Sequence, residues 1–412
     1  MPARAHRTVD EHLAEVLAAV TPLESTTVLL RDAAGSTLAV PVVAPTDAPG
    51  FRSSAMDGFA VRAVDAASAS PESPARLRVI ADLPAGTELD PPLAQGEAAR
   101  IMTGAPVPTA ADAVVPLEHT SAGLFGGPDV DVVRAPTVGQ HVRPSGEDVR
   151  TGVEVVRAGV ALGALQLGSI AAAGVTEVVV ARRPRVAVVS TGSELAAPGA
   201  PLRRGMIPES NAPMLSRLTE DAGADLVLVA TVPDVNAEFE RALEDATAAG
   251  ADVVITSGGV GTGAYEVVRN TLEPIGGMEF VTVAMRPGRP QGFGRLASGA
   301  LAFGLPGTPI GAAVSFEVFV RPALLAMQGR RELHRPRLLL RAAEGWRSRA
   351  GHRHLVPATI DRTDPRGWTV RPAGGAHSTT ALAYTDAFVV VPEDVEEVRV
   401  GDLVEAMLVG MS

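Results

Sequence analysis

The 412-residue chain contains no cysteine, and its sequence contains no lysine. The missing cysteines exclude disulfides, thiolate metal sites and cysteine nucleophiles, and they suit a reducing compartment. The missing lysines make all 36 basic residues arginine. Any anion clamp must therefore use the planar guanidinium fork, which grips oxyanions through paired hydrogen bonds. Apolar residues make up 46% of the chain, which excludes global disorder. The formal net charge of −11 disfavours nucleic acid as a partner. A small anionic ligand would need a local positive field against that background. No uninterrupted apolar run reaches the length of a membrane span. Residues 1–10 are polar and lack the apolar core of a signal peptide. The expectation is a soluble cytoplasmic protein with no membrane partner.

The length predicts two to four domains. Val9, Leu13, Val16, Leu17 and Val20 recur at helical spacing and predict an amphipathic helix over 8–20, ended by Pro22. Residues 38–52, punctuated by Pro41, Pro45 and Pro49, read as a linker. From Phe59 to about Val142, short apolar runs between Pro and Gly turns predict a small β-rich domain. Strands are expected at 153–156 and 178–180, with a helix over 161–173 between them. From Arg185 the pattern alternates. Strands at 186–189, 226–229, 252–256 and 301–303 are separated by helical segments, one of them capped by Asn211. Such alternation predicts a parallel sheet with helices on both faces and ligands at the carboxyl ends of the strands. A last long helix is expected over 309–327. After Arg335 spaced strands without helices predict a β-barrel or sandwich.

Several of the residues suited to chemistry fall at those strand ends. The 252–256 strand breaks into Ser257-Gly258-Gly259 and a small-residue stretch through Gly263. A Gly-rich turn before a helix leaves outward-pointing N–H groups that suit a phosphate or another oxyanion; a purely structural turn is the alternative. A dinucleotide fingerprint is not complete, because no acidic residue follows at the required distance. In Gly304-Leu-Pro306-Gly307-Thr-Pro309, Gly307 can supply positive φ and Pro309 suits the first helical turn. Arg286 and Arg289 flank a Pro-Gly turn and could grip an oxyanion together, or be solvated charges. Asp57, Glu147, Asp148, Glu194, Asp234 and Glu266 lie in turn-rich contexts. Carboxylates beside phosphates suit Mg²⁺, whereas singly each could be a cap or an exposed charge. The Thr103 hydroxyl could touch an oxyanion or cap a turn. The eight histidines show no metal spacing, and His352 and His354 are expected to be exposed on an edge strand.

Five ordered motifs carry a family resemblance. They are Pro49-Gly-Phe-Arg-Ser-Ser-Ala-Met-Asp57-Gly-Phe-Ala-Val-Arg62, Ile101-Met-Thr103-Gly-Ala-Pro-Val-Pro108, Arg143-Pro-Ser-Gly-Glu147-Asp148, Ser190-Thr-Gly-Ser-Glu194-Leu195 and Gly304-Leu-Pro-Gly307-Thr-Pro309. The chain resembles the molybdopterin molybdotransferase (MoeA) family and the related C-terminal domain of gephyrin. The resemblance implies an elongated four-domain subunit. Residues 1–44 and 149–181 would form a linker and dimerisation domain, and 45–148 a β-rich domain. Residues 182–328 would form a three-layer α/β molybdopterin-binding domain with a parallel sheet, and 329–412 a C-terminal β-barrel. It further implies a homodimer and a Mg²⁺-dependent insertion of molybdate into adenylylated molybdopterin with release of AMP. Other enzymes of molybdenum cofactor biosynthesis are implied as partners. On this resemblance Ser257, Gly258, Gly259, Gly263, Pro306 and Gly307 bind nucleotide phosphates, and Arg286 and Arg289 hold anionic oxygens. Asp57, Thr103 and Asp148 would reach across the dimer to a cleft holding Glu194, Asp234 and Glu266, the last two as Mg²⁺ ligands. Four residues depart from the family pattern: Ala264 removes a carboxylate, Glu266 stands for an aspartate, Thr308 for an asparagine and Gly311 for a small hydroxyl residue. The departures leave open a catalytically weakened paralogue that binds molybdopterin or serves as a scaffold. An adenylyltransferase-like enzyme is a further alternative.

Overall fold

The computed structural model describes residues 6–121, 127–263, 266–364, 367–374 and 379–410. Ala264 lies outside the described residues.

The α/β layer is built on a seven-stranded sheet. Its order is His6–Arg7, Met278–Val283, Pro290–Arg295, Leu301–Leu305, Val253–Ser257, Arg185–Thr191 and Asp225–Val232. The last four strands run parallel to one another. Their side chains alternate between two cores. Val186 and Val188 face one, Ala187 and Val189 the other. Burial on both faces is why these strands read as unbroken apolar runs. The expected parallel sheet is thus four strands wide, and an antiparallel pair extends it. That pair is Met278–Val283 and Pro290–Arg295, joined by a short connection as antiparallel strands can be.

The Pro309–Met327 helix is long and apolar enough to cross a membrane by composition. It lies inside the protein instead, with Phe316, Phe319, Val320 and Leu324 fully buried. Its middle, Phe316–Val320, is a π turn. There Glu317, almost wholly buried, accepts two hydrogen bonds from Arg335 at 2.8 and 2.9 Å.

The first helix spans Val9–Ala18. Thr8 and Glu11 form a reciprocal capping box that satisfies two amides at its start. Its buried side chains Val9 and Val16 join the α/β core, and the preceding His6–Arg7 pairs in parallel with Met278–Val283. His12 lies between them. Its ring packs edge-on against Phe319 at 4.7 Å between centroids.

The 25–44 and 154–181 segments form a small unit, held by the antiparallel pairs Ser25–Leu29 with Glu177–Ala181 and Val42–Val43 with Glu154–Val156. Part of the expected 38–52 linker is therefore paired strand. A five-stranded sheet follows, in the order Ala113–Pro116, Gly58–Val61, Glu97–Ile101, Ala75–Leu83 and Asp129–Val132. The C-terminal strands Arg353–Asp361, Thr369–Pro372, Arg337–Ala342, Leu403–Leu408 and Ala387–Val391 close on themselves as a five-stranded barrel. Closure leaves no edge. His354 therefore does not sit on an edge strand: its strand is paired with Thr369–Pro372 on one side and Ala387–Val391 on the other.

His12 makes stability depend on pH. Burial, with a smaller contribution from Arg7, lowers its pKa from 6.5 to about 4. The unfolded chain takes up this proton near pH 6.5, the folded chain only near pH 4, so stability is full above pH 6.5 and falls as the pH drops towards 4. The full loss is about 3 kcal/mol. Urea midpoints measured between pH 7 and 5 should fall in the wild type and fall distinctly less in His12→Leu. Equal slopes would show that other groups set the acid response.

Candidate functional site

Three parallel strands end side by side at Thr191, Ser257 and Leu305. Beyond them opens a cleft of about 720 Å³. One side-chain network fixes its floor. Asn211 donates one amide N–H to Ser257 Oγ at 2.7 Å and the other to the Gly307 carbonyl at 2.8 Å. Ser257 in turn donates to the Pro306 carbonyl at 3.3 Å. The two loops after the strands are thereby tied together. They also touch backbone to backbone. A Cβ at Gly307 would meet Gly258 Cα at 3.4 Å, and one at Gly258, where φ is +91°, would come 2.5 Å from the Thr191 carbonyl. Only glycine tolerates that approach at that φ.

Asn211 thus does not act as the expected helix cap. The helix is Asn211–Asp221, and its first amides are capped by the buried carboxylate of Glu209, which accepts from Asn211 N at 2.9 Å and Ala212 N at 3.0 Å. Capping by the residue two before a helix, and an inward-turned asparagine, leave no signal in a pattern of hydrophobic spacing.

The Gly-rich loop lines the opposite wall. Glu266 turns back into it. Its carboxylate accepts from Gly261 N at 2.7 Å and Gly263 N at 3.2 Å. Arg269 braces the loop from behind, donating to the Gly261 carbonyl at 3.1 Å while paired with Glu273. Glu194 and Asp234 line the same cleft. Asp234 and Ser193 exchange hydrogen bonds, each 3.0 Å long. Pro306, Thr308 and Pro309 complete the wall, where the first-turn amides of a long helix have no intrahelical acceptors.

Arg286 and Arg289 do not share one pocket. Arg289 lines the Gly-rich cleft. Arg286 lines a second cavity of about 300 Å³, between the α/β layer and the barrel. Met285–Arg286 pairs with Arg353–His354 in register, which sets Arg286 beside His354. Pro357 comes from the barrel, and Trp346 and Arg347 from a short strand beside it that pairs with Glu397–Val398. His354 is half-buried, and burial with the nearby Arg286 lowers its pKa. It is therefore neither exposed nor peripheral. Thr308 and Pro309 line both cavities, so the two meet at the start of the long helix. Trp346 and Arg347 were invisible to the motif search because they belong to no Gly-rich or acidic signature.

Asp57, Thr103 and Asp148 line neither cavity. They share the β-rich part of the chain. Asp57 Oδ1 accepts from Thr103 N at 2.7 Å and from Thr103 Oγ1 at 2.8 Å. These bonds, the backbone one first, lower the Asp57 pKa and keep it anionic. Asp148 is exposed and accepts from Arg143 at 3.3 Å, beside an Arg143–Glu147 pair. Pairing of Val142–Arg143 with Ser53–Ser54 brings the Asp57 and Asp148 segments side by side.

Among the described residues no three acidic or histidine side chains converge as a metal cage. The donor set fits Mg²⁺ only in its usual mode with phosphate ligands, where one or two carboxylates suffice.

A sheet with Gly-rich loops at its carboxyl ends, joined in one chain to a β-rich region and a small barrel, defines the class. Residues 187–326 match the family model of a "Probable molybdopterin binding domain". Residues 7–174 match the MoeA N-terminal region, domains I and II, and residues 340–409 the MoeA C-terminal region, domain IV. The chain belongs to the MoeA family. It is 44% identical to molybdopterin molybdenumtransferase 2 of Mycobacterium tuberculosis over 406 residues, 96% of this chain and 98% of the relative. It is 35% identical to molybdopterin molybdenumtransferase 1 of the same organism, over 97% of this chain and 98% of that one. The crystal structure of the molybdopterin biosynthesis MoeA protein from Pyrococcus horikoshii superposes with a TM-score of 0.83 at 30% identity, covering 98% of this chain and 99% of that chain.

The Asn211 clamp has a direct test. Asn211→Leu removes two hydrogen bonds and strands the Gly307 carbonyl, at a cost of about 2 kcal/mol. The urea midpoint should fall accordingly, and pyrophosphate binding should weaken at least about tenfold as the loops part. Undiminished binding would show that the loops hold their arrangement without the clamp.

Proposed function

We propose that this protein is a molybdopterin molybdenumtransferase. It takes adenylylated molybdopterin and molybdate, cleaves the pyrophosphate bond, releases AMP and leaves molybdenum on the dithiolene. The supporting observation is the pair of anion-suited cavities that meet at Thr308 and Pro309. A reaction that joins a phosphate-bearing substrate to a separate oxyanion needs two such cavities side by side. Ser257, Gly258, Gly259, Gly263, Pro306, Gly307 and Arg289 hold the nucleotide phosphates. Arg286, with Arg347 and His354, holds molybdate, whose negative charge suits guanidinium forks. The sulfur comes with the substrate, which agrees with a chain free of cysteine.

Asp234 and, when released from the loop, Glu266 would hold Mg²⁺ beside the phosphates, where the ion would neutralise charge at the reacting phosphoryl group. Asp57, Thr103 and Asp148 complete the site from a second subunit, because they line neither cavity of their own chain. The protein is accordingly a homodimer, and we place it in the cytoplasm.

AMP release from adenylylated molybdopterin tests this reading. It should require molybdate and Mg²⁺ together, and Asp148→Ala should lower it by at least about 100-fold with the fold intact. Full activity in that variant would leave Asp148 a turn residue. A second reading, binding without turnover, draws on Glu266, whose carboxylate is occupied by loop amides. Tight binding of the substrate with no AMP release under any condition would favour it.

A further inference from the structure

The amide cradle of the Gly-rich loop already holds an anion: the side chain of its own Glu266. We propose that Glu266 is a displaceable internal plug, occupying the position of a substrate phosphate until that phosphate enters and drives it out. The inference rests on the reading of this loop as a phosphate site.

Three observations carry it. The carboxylate turns backward, away from the helix Val267–Ile275 that it precedes, to reach Gly261 N and Gly263 N. Gly261 lines the cleft and Gly263 follows it in the same loop, so these amides are the groups a phosphate would use. The space is also fitted to the plug. A Cβ at position 261 would lie 2.4 Å from Glu266 Oε1, so any residue but glycine there would push the carboxylate out.

The consequence is competition. Two anions contest the same amides, and the ligand binds only after breaking two charge-assisted hydrogen bonds. Substrates bearing two or more phosphate charges displace the plug more readily than a single carboxylate or sulfate would. Once displaced, the Glu266 carboxylate stands beside the phosphate, where a divalent cation needs oxygen ligands. Glu266 is therefore a positioning residue that sets which anions enter.

Calorimetric titration with AMP and with inorganic pyrophosphate, in EDTA, separates the outcomes. Glu266→Gln and Glu266→Ala should bind both probes about tenfold more tightly than the wild type, because the competitor is gone. Hydrogen exchange at Gly261 and Gly263 should quicken in the free variants and slow again with AMP. Unchanged or weaker binding in both variants, with the wild type binding normally, would make Glu266 a brace of the loop and overturn the proposal. If neither wild type nor variants bind AMP or pyrophosphate, the phosphate reading of the loop fails as well.

Discussion

The Asn211 side chain is the joint on which the cleft depends. Two loops leave neighbouring parallel strands, joined at their base where Gly258 N donates to the Leu305 carbonyl at 3.0 Å. Beyond that base the Asn211 amide bridges the loops by donating to Ser257 on one side and to the Gly307 carbonyl on the other, while Ser257 itself donates to the Pro306 carbonyl. Both of its donors are used, and the Ser257 acceptor is buried. Glu209 holds the asparagine in place by capping the helix it begins. Without this joint the glycines would still permit close approach, but would not enforce it. Glycine supplies space and backbone freedom, and the polar clamp supplies position.

Positive charge is distributed with the same economy. In a chain of net charge −11, arginine is the only strong cation. Many arginines are engaged by carboxylates, as Arg335 is by Glu317 and Arg353 by Asp10. Arg286 and Arg289 face cavities instead, one on either side of the long helix start. The helix dipole adds to both fields, since its amino end lies between them. An acidic surface around cavities that carry local guanidinium groups favours small anions that fit over polyanions such as nucleic acid.

The sequence made the α/β layer and the barrel legible through different signals. Apolar runs of period one, separated by helical spacing, marked the parallel strands, since both their faces are buried. Spaced short strands without helices marked the barrel. The 278–295 hairpin escaped because its strands contain Gly292 and Gly294, which weaken an apolar pattern. Gly294 is there because Gly277 and Met278 backbone atoms fill the place of a Cβ. Of the site, the Gly-rich loops and their strand-end placement could be read directly. The separation of Arg286 from Arg289 could not, because the three-residue spacing between them is equally consistent with one pocket or two. Only the pairing of Arg286 with His354, some seventy residues on, turns it towards the barrel.

The central claim is that one working site is assembled from two chains, the cavities from one and the Asp57 arm from the other. A heterodimer of Asp57→Ala with Asp234→Ala, made by co-expression with two tags, tests it most directly. Each homodimer of a variant should be inactive. In the heterodimer one site carries both lesions and the other neither, so AMP release should return to about half of the wild-type rate. A heterodimer as inactive as its parents would place Asp57 and Asp234 in one chain's site and contradict the account.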